Sequence, residues 1–152
     1  MKLSSILHKN AIIHDLKSTD KKDVLSEFAE LASRVIPQLK KEEVLEVLTN
    51  REDLGSTAVG HGIAIPHGKI AGIKDILALF GRSKEGVDFQ AHDEKPTNLF
   101  FVLLAPEAAI GNHLQALARL SRLLKEPELR DELIQVPAEE LYDLLIKEDN
   151  KL

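Results

Sequence analysis

Asn98–Leu104, with the sequence Asn-Leu-Phe-Phe-Val-Leu-Leu, is the most apolar segment of the chain. A short run that is apolar on both faces is typical of a strand with neighbours on either side and helices above and below. Pro106 follows closely and limits the run, because proline has no backbone N–H to donate to a sheet. The segment is therefore predicted to be the central strand of a sheet.

Further strands are predicted on the N-terminal side of this segment. Ile76–Arg82 has the pattern of a second buried strand, and Gly62–Ile65 is short enough to be a third. A brief helical turn and then a short strand near Ala11–His14 are predicted close to the start of the chain. The remaining predictions are turns at Lys84–Gly86 and Asp93–Pro96 and a short edge strand at Val87–Phe89.

Five helices are predicted from apolar residues at helical spacing and from capping residues. Ser18–Asp20 supplies an N-cap for the first helix, Gly55 follows the end of the second, and Asn112 is expected to cap the third. The predicted ranges are Lys21–Val35, about Lys41–Arg51, His113–Lys125, about Glu128–Gln135 and about Ala138–Ile146. The residues expected to face inward are Val24, Leu25, Phe28, Leu31, Ala32 and Val35 in the first helix, Val44, Leu45, Val47 and Leu48 in the second, and Leu114, Leu117, Ala118, Leu120, Ser121 and Leu124 in the third.

This order of elements predicts an α/β fold. We expect a single domain over residues 1–152, with a mixed sheet of about four or five strands flanked by helices on both faces. A chain of this length is large enough to bury a substantial core.

The composition excludes several classes of function. Twenty basic and 25 acidic side chains give a net charge of −5, which argues against nonspecific nucleic-acid binding. The chain has no cysteine, which excludes disulfides, thiolate metal sites and cysteine catalysis. No apolar run approaches the roughly 20 residues of a membrane span. Met1–Ser5 lacks the apolar core of a secretory signal, so a cytoplasmic location is expected.

The stretch Arg51–Lys69 carries the strongest functional signal. It contains four of the eight glycines of the chain, one proline, two hydroxyl side chains, two histidines and an arginine. Glycines allow positive φ and a close approach of backbone N–H groups to a ligand, and Pro66 restricts the backbone just before His67. An imidazole on such a stiff segment indicates chemistry rather than packing.

The six histidines are not equivalent. His67 is singled out by its glycines and proline, and His113 by its predicted place in the first turn of a helix, where the helix dipole favours an anion and a neutral ring. A simple capping-region role for His113 is the alternative. His61 is interpreted as a loop residue, although a place in the site stays open. The histidines interpreted as solvated surface residues are His8, His14 and His92.

Three mechanisms could use these residues. A metal site would need a third ligand, and a serine hydrolase would need a Gly-x-Ser-x-Gly elbow, which is missing. A phosphorylated histidine fits better, because it needs an exposed imidazole whose other nitrogen fixes the tautomer, together with donors for the phosphate oxygens. The candidate donors are Arg51, the hydroxyls of Ser56 and Thr57, the glycine N–H groups, His113 and Lys69. Arg51 could equally be a solvated residue at a helix end, and Ser56 and Thr57 could be ordinary turn residues.

Several blocks of the sequence also resemble a known family. Arg51–Thr57, Gly62–Lys69, Leu99–Glu107 and His113–Ser121 are similar, in this order, to the conserved blocks of the EIIA proteins. These belong to the phosphoenolpyruvate-dependent sugar phosphotransferase system and are of the fructose, mannitol and nitrogen-regulatory type. The likeness covers nearly the whole chain.

The resemblance implies a function and a set of partners. His67 would accept a phosphoryl group from the phosphocarrier HPr or its nitrogen-branch counterpart, as a tele-phosphohistidine, and would pass it to a cysteine of an EIIB domain. His113 and Arg51 would stabilise the phosphate, with Ser56 and Thr57 as further hydroxyl donors, and no cofactor is implied. The alternative is a nitrogen-regulatory EIIA whose phosphorylation state controls partner proteins. In either case His67 is expected in a shallow surface site ringed by apolar residues such as Ile63 and Ile65.

Overall fold

The central strand of the sheet is β6, Thr97–Pro106. The computed structural model describes residues 1–108 and 111–152. β6 pairs in the antiparallel sense with β5, and in the parallel sense with β3 and β4. The strand order is β1-β5-β6-β3-β2, with β4 continuing along the same strand β6. The other strands are β1 Leu7–Ile13, β2 Ala58–Gly60, β3 Ile63–Ala64, β4 His67–Ile70 and β5 Leu77–Val87.

The mixed sheet and the central position of the Asn98–Leu104 segment are confirmed. The described sheet has six strands rather than four or five, because the glycine-rich stretch forms three short strands instead of one. Pro66 lies between β3 and β4, and its carbonyl accepts the N–H of Leu103 at 3.0 Å. The two short strands therefore follow one edge of β6 in succession.

Local sequence signals set the start of the first helix and the end of the second helix. The carboxylate of Asp20 accepts the backbone N–H of Asp23 at 2.9 Å, which caps the first helix as predicted. Gly55 has φ +147° beyond the end of the second helix, and its N–H donates to the carbonyl of Glu52 at 3.0 Å. The helices are α1 Lys21–Val35, α2 Lys41–Asp53, α3 Gly111–Leu123, α4 Pro127–Gln135 and α5 Leu141–Asp149.

Helices cover both faces of the sheet, as predicted. A Cβ on Gly81 of β5 would meet the ring of Phe28 in α1. The next residue, Arg82, donates to the carbonyls of Leu133 at 3.2 Å and Val136 at 2.5 Å, at the end of α4. Because successive residues of a strand point to opposite faces, α1 and α4 pack on opposite sides. The buried apolar residues form one continuous core cluster.

Three predicted boundaries are wrong. β5 runs through the predicted turn at Lys84–Gly86, because a bulge with Gly86 at φ +88° absorbs the irregularity within the strand. Val87 consequently ends β5 instead of opening a separate edge strand. The first strand is longer than predicted and ends at Ile13, and the final helix begins with a 3-10 turn at Ala138–Glu140.

The rotation of α3 also differs from the prediction. Gly111 is already helical, so Asn112 lies inside the first turn instead of capping it. The buried stripe is His113, Ala116, Leu120 and Leu123, whereas Ala118 and Ser121 are exposed and Leu114 is 65% exposed. Apolar residues occupy more than one face of this helix, so spacing alone could not decide which face packs on the sheet. Among the residues that the structure describes, no helix is long and apolar enough to cross a membrane.

Candidate functional site

His67 is the first residue of β4 and lies opposite Leu103 of the central strand. The buried Pro66 precedes it, and its own side chain is half-buried. The central strand thus fixes the backbone that carries the imidazole, while one edge of the ring faces solvent.

The second ring nitrogen of His67 sets the tautomer. Nδ1 lies 2.9 Å from the carbonyl oxygen of Ile65. A carbonyl oxygen can only accept a hydrogen bond, so Nδ1 carries the proton. The neutral ring therefore keeps its lone pair on Nε2, which is the state that a nucleophile needs.

His113, in the first turn of α3, lies beside His67. The ring centroids are 5.3 Å apart and the planes meet at 79°. His113 is only 8% exposed, and its Nδ1 has no hydrogen-bond partner among the described residues. Burial lowers the pKa of His113, and the neighbouring His67 and Lys69 lower it further. Both effects favour the neutral form of the His113 ring beside His67.

Arg51 reaches the same site from the last turn of α2. Its Nη1 donates to the carbonyl of Gly55 at 2.8 Å, and the side chain is half-buried. A Cβ on Gly68 would collide with Val47, so glycine there allows α2 to lie directly on β4. Val47 and Arg51 are one turn apart and share a helix face, so this contact brings Arg51 to the cavity that His67 also lines.

These groups surround an open cavity of about 380 Å³. It combines two imidazoles and two cations with an apolar rim, which is a suitable environment for a phosphate group delivered by another protein. Its lining residues are Arg51, His67, Gly68, Lys69, His113, Leu114 and Leu117.

Ser56 and Thr57 are not among the residues that line this cavity. The hydroxyl of Ser56 donates to the carbonyl of Phe89 at 2.5 Å. The hydroxyl of Thr57 donates to the buried carboxylate of Glu52. The structure therefore directs both hydroxyls to protein acceptors and does not bring them to His67.

His61 lies outside the cavity of His67 as well. It is exposed at φ +57°, next to Gly62 at φ +77°, in the tight connection between the antiparallel strands β2 and β3. Two successive positive φ values are characteristic of a type I′ hairpin turn, in which asparagine or glycine is usual. Its N–H donates to Asp93 at 3.0 Å, which agrees with the interpretation as a loop residue.

The apolar rim consists of different residues from those expected. Ile63 and Ile65 are buried, because β3 is paired with β6 inside the sheet. Leu114 and Leu117 line the cavity instead. Both were predicted to face inward: Leu117 is partly buried and also packs against the core, whereas Leu114 is exposed. Their three-residue spacing indicates a shared helix face but does not show whether that face is buried. Among the described residues, no cluster of three His, Cys, Asp or Glu side chains is placed to hold a metal ion.

The comparisons with known proteins agree with this fold. The family model described as the phosphoenolpyruvate-dependent sugar phosphotransferase system, EIIA 2, matches residues 5–148. The chain therefore belongs to the EIIA family of phosphotransferase-system phosphoryl carriers.

Its relatives include both regulatory and transport proteins. A nitrogen regulatory protein of Bradyrhizobium diazoefficiens is 41% identical over 146 residues, covering 95% of each chain. A fructose-specific EIIABC component of Bacillus subtilis is 36% identical over 99% of this chain, which spans only 24% of that protein. The crystal structure of the nitrogen regulatory protein IIA-Ntr from Neisseria meningitidis superposes with a TM-score of 0.87 at 40% identity, covering 94% of this chain and 98% of that one.

Proposed function

We propose that His67 is the phosphoryl acceptor of this EIIA protein. The observation that carries the proposal is the hydrogen bond from Nδ1 to the Ile65 carbonyl, which leaves Nε2 as the nucleophile. Nε2 attacks the phosphorus of a phosphohistidine on HPr or its nitrogen-branch counterpart. The new P–Nε2 bond forms as the P–N bond to the donor breaks, and the electron pair of that bond stays on the donor nitrogen. The product is a tele-phosphohistidine.

Arg51 and His113 stabilise the transferred group in this proposal. Charge on the three equatorial oxygens must be balanced during transfer, and a guanidinium offers paired N–H donors for two of them. The neutral ring of His113 adds one N–H donor. Lys69 lines the same cavity and supplies a second positive charge.

Leu114 and Leu117 provide the contact surface for the protein partners. Leu114 is exposed on the rim of the cavity, where a flat apolar partner surface can cover it while reaching His67. One face must serve both the donor and the acceptor, because both react with the same nitrogen. These partners are cytoplasmic in this proposal, and so is the protein.

Phosphorylated His67 could act by two routes. In sugar uptake, the phosphoryl group passes to the cysteine of an EIIB domain. In regulation, the phosphorylation state of His67 determines which partner protein is bound. The near-complete match in both directions to nitrogen regulatory relatives favours the regulatory route, whereas the match to the fructose-specific protein supports the uptake route.

Phosphorylation of purified protein tests the acceptor. Incubation with enzyme I, HPr and phosphoenolpyruvate should give one acid-labile, base-stable phosphate per chain, and nuclear magnetic resonance should place it on Nε2 of His67. His67→Ala should abolish labelling, while His92→Ala, which removes an exposed imidazole, should not. Full labelling of His67→Ala would overturn the proposal.

The two routes require different assays. Affinity capture with the phosphorylated protein and with His67→Ala should retain different partners if regulation is the function. Transfer to a fructose-type or mannitol-type EIIB with sugar phosphorylation would instead establish uptake. Identical partners in both states, together with efficient sugar phosphorylation, would contradict the regulatory route.

A further inference from the structure

A buried carboxylate holds the connection between α2 and β2. Glu52 is 7% exposed and accepts the N–H of Thr57 at 3.1 Å, as well as the Thr57 hydroxyl. Lys21, at the start of α1, places its ammonium 3.0 Å from the same carboxylate. These partners compensate the loss of hydration that burial imposes on the charge.

Thr57 continues this network towards His67. Its carbonyl accepts the N–H of Ile65 at 3.1 Å, and the Ile65 carbonyl accepts the Nδ1 proton of His67 at 2.9 Å. Thr57 is 5% exposed, so neither its hydroxyl nor its backbone can exchange these bonds for water without local opening. The position of the Ile65 carbonyl thus depends on how firmly Thr57 is held.

The same connection also positions Arg51. Its Nη1 donates to the carbonyl of Gly55, while the N–H of Gly55 donates to the carbonyl of Glu52. Glu52 and Thr57 flank this short loop on either side. The tautomer of His67 and the position of the Arg51 guanidinium therefore both depend on the buried pair of Glu52 and Thr57.

We infer that Glu52 and Thr57 are positioning residues for phosphoryl transfer. Thr57 holds the Ile65 carbonyl that keeps the proton on Nδ1 of His67, and the Glu52 carboxylate fixes Thr57. The inference rests on the proposed role of His67 as acceptor. In this inference the Thr57 hydroxyl binds Glu52 rather than the phosphate, and it affects the rate of phosphoryl transfer only through the position of His67.

Substitutions at Thr57 separate the hydroxyl from the volume of the side chain. Thr57→Val keeps the shape and the backbone bonds but removes the hydroxyl that Glu52 accepts. Thr57→Ser restores the hydroxyl and removes one methyl group. Glu52→Gln keeps the side-chain length and removes the charge, and Asp53→Asn, at an exposed neighbouring position, is its matched control.

Nitrogen-15 magnetic resonance of the unphosphorylated protein gives the tautomer of His67 without any partner. Thr57→Val and Glu52→Gln should move population from the Nδ1–H to the Nε2–H form, and Thr57→Ser and Asp53→Asn should retain the wild-type form. In transfer from phosphorylated HPr, the first two variants should lower kcat about tenfold, because small displacements of reacting groups have large effects on rate. KM for HPr should stay within about twofold, since the surface around Leu114 is untouched.

If Glu52 and Thr57 only stabilised the fold, the variants would give a different result. If Thr57→Val and Glu52→Gln unfold at lower denaturant concentration but retain the wild-type tautomer and kcat, the inference is wrong. If one of these two variants does not fold, the tautomer of His67 and kcat in the other variant test the inference. The proposed function is tested separately: if His67→Ala is still labelled, His67 is not the acceptor, whatever the Thr57 and Glu52 variants show.

Discussion

His113 occupies an unusual position for an imidazole, because it is buried against a second imidazole at the edge of an open cavity of about 380 Å³. Burial opposes its protonation, so the ring stays neutral at pH values at which an exposed histidine is charged. A neutral ring can lie beside His67 without lowering its nucleophilicity. This residue therefore links the stability of the fold to the chemistry of the site.

Replacing His113 by Gln should slow phosphoryl transfer on the order of a hundredfold, the usual effect of removing one donor from a developing anion. The folded state should survive, because glutamine keeps a polar group of similar size. Stopped-flow or quenched transfer from phosphorylated HPr measures the rate. His8→Gln, at an exposed position on β1, is the control, and equal rates for His113→Gln and wild type would contradict the role.

The lowered pKa of His113 also predicts a pH dependence of stability. Between the lowered folded-state pKa and the unfolded value of about 6.5, the unfolded chain binds a proton that the native protein does not, so stability rises with pH. The wild type should therefore lose stability as the pH falls below about 6.5, and His113→Gln should lose less. Urea unfolding of both proteins between pH 5 and 8 measures this difference, and parallel profiles would contradict it.

At the scale of elements, the contact between α2 and β4 assembles the site. Gly68 leaves room for Val47, and this close packing carries Arg51 towards the imidazole. The start of α1 and the end of α2 follow from Asp20 and Gly55, since such signals act over only a few residues. The distance between α2 and β4 depends instead on two side chains from separate elements, which no local pattern contains.

Gly68→Ala should destabilise the protein by about 1–3 kcal/mol, because the added methyl group overpacks the contact with Val47. It should also slow phosphoryl transfer by displacing Arg51. The double variant with Val47→Ala should recover much of both losses, as expected for two residues in direct contact.

Gly111→Ala is the matched control for this experiment. Gly111 lies in α3, and apart from its chain neighbours and the backbone of its own helix no described atom lies within 4 Å of a Cβ built there. Denaturant unfolding should show no loss of stability there. Simple additivity of Gly68→Ala and Val47→Ala would contradict the proposed contact.

At the scale of the whole molecule, a second buried carboxylate joins the two ends of the chain. Asp149 in α5 accepts the N–H of Leu3 at 2.8 Å and the Nε of Arg119 at 2.7 Å. Its hydrogen bond raises the pKa of Arg119. Since Arg119 lies in α3, the N-terminal segment, α5 and the helix that carries His113 are connected through one side chain.

Asp149→Asn should destabilise the fold by about 2 kcal/mol, the usual range for a hydrogen bond to a charged group. The loss arises because the amide cannot satisfy both the guanidinium and the backbone N–H. Glu148→Gln, which removes a more exposed ion pair with Lys151, should have little effect. Thermal and urea unfolding provide the measurement, and equal stability of the two variants would contradict the role of Asp149.

The sequence by itself determined the central strand and the bounds of α1, because caps, prolines and apolar periodicity act locally, and it singled out His67 as the candidate acceptor. Only the tertiary structure decided that β4 follows β3 along β6, that α3 turns His113 inward and Leu114 outward, and that the Thr57 hydroxyl meets Glu52. These features depend on which distant segments pack together. Helical spacing leaves two apolar faces of α3 equally acceptable, and a hydroxyl in the sequence does not reveal its acceptor. Packing against the sheet decides which face of α3 is buried and which acceptor the hydroxyl meets, because the interior is densely filled and most buried polar groups are hydrogen-bonded.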